Sequence, residues 1–195
     1  MNNNLNRNFC FIFCVIFLIS CTSKQIISTL PVHNSNTKRI TEFAIQKWDS
    51  ISKKIPEGME QEFGFQSQNE MANATMGEPI MMYYWKEGNM VESQIYRVPV
   101  LVEGKMVSLL SVSNEQQLNT GDFGASQLAR TVQAISEKYK VKVQGILRIH
   151  SLFSDYFMFE NNGIINFIPI STFHHEKPSQ SNILNIEDIK RLTEN

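Results

Sequence analysis

The chain has 195 residues, 18 Lys and Arg against 19 Asp and Glu, and a formal net charge of −1. That balance leaves no excess of basic side chains for a nucleic-acid surface. Its three cysteines, Cys10, Cys14 and Cys21, all fall in the first 21 residues, so the remainder has no disulfide framework, thiol nucleophile or cysteine metal set.

Arg7 is the only charge before Cys21, and it precedes an unbroken run of apolar and small residues from Phe9 to Ser20. A basic flank followed by a short apolar run is the layout of a secretory signal. The run is short of the ~20 apolar residues that a helix needs to span a bilayer core. It closes on Leu18-Ile19-Ser20-Cys21, and the polar residues Thr22, Ser23 and Lys24 follow at once. This resembles the lipobox of bacterial lipoproteins. The resemblance implies cleavage between Ser20 and Cys21, diacylglycerol on the Cys21 thiol, and acylation of the new amino terminus. It therefore implies a membrane anchor at Cys21 and a place in the bacterial cell envelope. Thr22, rather than aspartate, after the cysteine implies the outer membrane. A chain starting at Cys21 would carry 17 basic and 19 acidic residues.

Residues 21–37 read as the lipidated terminus and a polar tether, since Pro31, His33, Asn34, Ser35, Asn36 and Thr37 cannot build a core. Residues 38–195 read as one globular domain, a length that buries roughly two thirds of the unfolded surface. The spacing of Ile40, Phe43, Ala44, Trp48, Ile51 and Ile55 predicts a helix over 38–55, stopped by Pro56. Ser67-Gln68-Asn69-Glu70 has the form of a capping box, with a short helix expected to about Met76. Strands are expected over 80–86, 90–102 and 106–112, joined by the tight turns Glu87-Gly88-Asn89 and Glu103-Gly104-Lys105. Pro99 lacks a ladder donor, which predicts an edge or a bulge there. Ala125, Leu128, Ala129, Val132, Ile135 and Tyr139 predict a second main helix over 122–140, with Asp122 as its cap. Strands over 141–149, 156–160 and 164–170 follow, the last two joined by Asn162-Gly163, a strong hairpin turn. A loop over 172–182 and a short helix over 186–192 close the chain. The fold class is α+β: two antiparallel meanders form a sheet packed by two main amphipathic helices, with the helices expected on one side.

Few residues suggest chemistry. His174-His175-Glu176 is the one local group of metal-capable side chains, but a zinc site needs three or four converging ligands. His150, Ser151, Ser154 and Asp155 supply the residue types of a hydrolytic triad within one short segment, whereas a triad is usually assembled from distant parts of a chain. Gly121-Asp122-Phe123-Gly124-Ala125-Ser126 departs from both the nucleophile-elbow and the dinucleotide spacings. No catalytic residue, metal ligand or cofactor is therefore assigned. The run Met81-Met82-Tyr83-Tyr84-Trp85 is apolar on both faces of a strand, and Met81, Tyr83 and Trp85 on one face are the candidate interaction surface. The expectation is an anchored, non-catalytic domain that binds a protein, peptide or glycan. The alternative is an envelope hydrolase with a dispersed site around His150 or His174.

Overall fold

The computed structural model describes residues 35–113, 118–119, 125–170 and 183–194. Helix α1 spans Ser35–Ser52 and α2 spans Gln68–Ala72. The strands β1 (Thr75–Met76), β2 (Ile80–Lys86), β3 (Asn89–Val102), β4 (Lys105–Ser113) and β5 (Leu118–Asn119) follow. Helix α3 (Ala125–Tyr139) leads to β6 (Gly145–Ile149), β7 (Ser154–Asn161), β8 (Ile164–Ile170) and α4 (Ile186–Thr193). The fold is α+β. Lipobox, tether residues up to 34, Asp122 and His174 to Glu176 lie outside the described residues.

The two meanders form one sheet in the order β5-β4-β3-β2-β6-β7-β8, with β1 pairing the far half of β3. Each meander is antiparallel inside. The seam is not: β2 and β6 run parallel, with Met81 opposite Gly145 and Tyr84 opposite Arg148. A parallel pair needs a long crossover, and the chain supplies one through β3, β4, β5 and α3. The hairpin turns Glu87-Gly88, Glu103-Gly104 and Asn162-Gly163 all have positive φ at both residues. That conformation follows the right-handed strand twist, so each turn holds its hairpin in register.

Helices cover both faces of the sheet rather than the single face expected. One face packs Ile80, Met82, Ile146, Phe157 and Ile168 against Leu128, Ala129, Val132 and Ile135 of α3. The other is split. Tyr96, Val98, Val100, Leu110 and Val112 lie under α1, and Leu147, Met158 and Phe167 lie under Ile189 of α4. Strands that are apolar on both sides leave no face for water, which forces the layered arrangement.

Boundaries moved for local reasons. Helix α1 starts at Ser35 rather than Lys38, so the polar residues Ser35, Asn36 and Thr37 form its first turn. It ends at Ser52, and a tighter turn with Lys54 donating to Ile51 O carries the chain on to buried Ile55. Ser67 caps α2 by accepting from Glu70 N, but the Glu70 carboxylate reaches back to Gln66 N. The helix then stops at Ala72, because Thr75 and Met76 pair with Leu101 and Val100. Pro99 lies inside the sheet, where β1 and β2 leave a gap along β3: its carbonyl accepts from Gly77 N, and its missing donor falls in that gap. Pro169 lies on β8, the last strand of the order, where a missing donor costs least. Gly64, at φ +97, ends a short 3-10 turn so close to β4 that a Cβ would stand 2.1 Å from Val107 O.

Leu128 and Ile135 are buried on α3, and Arg130 is exposed. Leu128→Ala or Ile135→Ala should each cost about 2–5 kcal/mol in urea melts, the range for large-to-small core changes. Arg130→Ala should change stability by less than about 0.5 kcal/mol. Equal small losses in all three would show that α3 does not cover the seam.

Candidate functional site: the aromatic end of the sheet

Met81, Tyr83 and Trp85 project from β2 toward α4, and the structure does not leave them open to a partner. Tyr83 is 3 % exposed, with Gly145 across the seam lacking the Cβ that would stand 2.7 Å from its ring. Trp85 is half-buried, and its Nε1 donates to Thr193 Oγ1 of α4 at 2.9 Å. Met81 packs into both cores of that face. The candidate surface is thus an internal seam covered by α4, a helix some hundred residues away in sequence.

The ingredients of a hydrolytic site are brought close but engaged elsewhere. Asp155 accepts from Arg148 in a two-pronged pair, with Nε–Oδ1 and Nη2–Oδ2 both 2.7 Å. Such a fork fixes both groups. Ser154 Oγ donates to Leu152 O at 2.9 Å. The exposed His150 ring lies against Tyr84, with centroids 5.3 Å apart and planes at 33°. Among the described residues no group of three or more His, Cys, Asp or Glu is placed to hold a metal ion. His174, the other centre of the hydrolase alternative, lies outside them.

Another feature dominates this end of the molecule. Register places the β2–β3 turn beside the β6–β7 connection, because Tyr84 pairs with Arg148 on one side and Val91 on the other. The connection is a short 3-10 turn, His150–Leu152, that ends on Phe153. Phe153 is left-handed, at φ 49 and ψ 37, and 89 % exposed. A left-handed conformation costs a side-chain-bearing residue roughly 1–2 kcal/mol. An exposed ring recovers none of that by burial. The Tyr84–His150 ring pair lies at the same end of the sheet. Nothing in Leu152-Phe153-Ser154 marks this in the sequence, since a phenylalanine forced to positive φ has no local signature.

No family model matches the chain, and neither does any curated protein or solved structure.

Phe153→Gly should leave stability unchanged or raise it by up to about 1 kcal/mol, because glycine accepts positive φ freely. Thermal and urea melts read this directly, and a loss above about 1 kcal/mol would make Phe153 a packing residue. Tyr83 gives a second test. Its buried hydroxyl has no hydrogen-bond partner. Burial first, then the Glu92 charge, push its pKa well up. The folded state therefore holds this proton more tightly than the unfolded chain does. The stability it confers is intact below the ordinary tyrosine pKa of about 10 and is lost as pH rises beyond it. Tyr83→Phe should be neutral or stabilising at pH 7, and should lose less stability than the parent at about pH 11. An equal alkaline loss in both would assign it to Tyr96 and Tyr156, whose pKa values burial also raises.

Proposed function

We propose that the protein is a lipid-anchored component of the bacterial cell envelope whose folded domain binds rather than catalyses. The observation that carries the reading is Leu18-Ile19-Ser20-Cys21, set directly after an apolar run with a single basic flank. The domain adds support. Its sheet is covered on both faces, and Asp155, Ser154 and His150 each have a structural partner. No helix among the described residues is long and apolar enough to cross a membrane. In this reading attachment rests on acyl chains at Cys21, and two or more such chains hold a folded domain stably where one does not. The partner expected at the envelope is a protein, peptide or glycan, and no cofactor is implied.

Cys21→Ser should abolish labelling by radioactive palmitate and move the protein from the detergent phase to the aqueous phase. Unchanged labelling and partitioning in that variant would overturn the anchor.

A further inference from the structure

We propose that the aromatic end of the sheet, with Phe153 at its tip, docks on the surface of the bilayer that carries the Cys21 lipid. The inference rests on the anchor reading above and adds an orientation to it.

Three observations converge. First, Asn36 in the opening turn of α1 lies near enough to Tyr96 to lower its hydroxyl pKa, and Trp48 Nε1 near its close donates to Met71 O at 3.0 Å. Tyr96 is level with Met81, near the middle of β3, whereas α2 sits beside β1 at the Leu101 end. The helix therefore runs toward the Glu103-Gly104 turn, and its N-terminus is directed toward the end that carries Phe153. Second, the chain between Cys21 and Ser35 is short. Thirteen residues of chain can bridge a separation on the order of 20 Å. The five residues of sheet from Tyr96's level to the tip span about 16 Å at strand rise. The anchor thus holds that end close to the lipid without stretching the tether. Third, Phe153 is a large apolar side chain kept exposed in a costly conformation, and the Tyr84–His150 ring pair lies at the same end of the sheet.

The bilayer is the occupant favoured over a second protein because of concentration. A lone aromatic ring is a small contact and would not by itself hold a partner from solution. A surface tethered through a short linker is presented at an effective concentration in the millimolar range, where a weak contact is occupied. An aromatic ring suits the boundary between headgroups and acyl chains. Lys86 and Glu87 at the neighbouring turn carry opposite charges, so that turn adds no net charge to the contact. The opposite end, with Glu103-Gly104 and Asn162-Gly163, would then face away from the membrane, toward whatever the domain binds.

The test fixes the anchor chemically, so that native lipidation is not at issue. Residues 21–195 are coupled through the Cys21 thiol to a maleimide phospholipid in phosphatidylethanolamine–phosphatidylglycerol vesicles. Phe153→Trp and Ile164→Trp are compared, each against the parent to remove Trp48 and Trp85 emission. Ile164 is a fair control: it is 60 % exposed and sits at the far end of the sheet. Brominated acyl chains should quench the tryptophan at 153 at least about twofold more than the one at 164, as expected for a ring about 5–10 Å into the boundary. Absent quenching at 153, or equal quenching at both positions, overturns the proposal. Either failure leaves the palmitate result with Cys21→Ser untouched, so the orientation and the anchor fail separately.

Discussion

The parallel seam between β2 and β6 is the contact on which the rest of the structure depends. Without it the sheet falls into two parts, β1 to β5 and β6 to β8, each too small to bury two apolar faces. With it, Met82 and Ile146 sit side by side under α3, while Tyr83 and Leu147 sit side by side beneath α4. The seam also sets a steric condition. The Tyr83 ring occupies the space a side chain at Gly145 would fill, and Met158 Sδ closes the same space at 3.2 Å from that missing Cβ. A parallel pair is slightly weaker per residue than an antiparallel one, so burial on both faces supplies the difference.

The seam also joins the fold to the site. By aligning Tyr84 with Arg148, it brings the β2–β3 turn and the β6–β7 connection to the same end of the sheet. The Arg148–Asp155 fork then ties β6 to β7 just below the tip. That pair spans one antiparallel rung, and it makes the connection rigid where Phe153 must hold a left-handed conformation. Asp155, one of the triad residue types in the sequence, is the acceptor of that fork.

Local features could be read directly from residues. Leu128, Val132 and Ile135 mark the buried face of α3, and Asn162-Gly163 marks its turn, because both signals lie within a few residues of sequence. Ser67 and Glu70 are close to the capping expected of them for the same reason. The strand partners could not be read this way. Nothing local says that Met81 pairs with Gly145 across more than sixty residues, so the helices were expected on one face and the junction was left unspecified. The run Met81 to Trp85 shows its two-sided apolar pattern in the sequence, yet the element covering Met81, Tyr83 and Trp85, α4, lies at the other end of the chain. Phe153 gave no signal, because its exposure and its backbone conformation are both imposed by the Ile149–Ser154 pairing around it.

Native-state hydrogen exchange across the seam tests the central claim most directly. If β2 and β6 weld the two meanders into one cooperative sheet, the amides that face across the seam, those of Tyr83, Ile146 and Arg148, should exchange only through global unfolding, with the same denaturant dependence as the ladders within each meander. Exchange at the seam through a local opening, while the β3–β4 and β7–β8 ladders stay protected, would show two separate units and contradict the account.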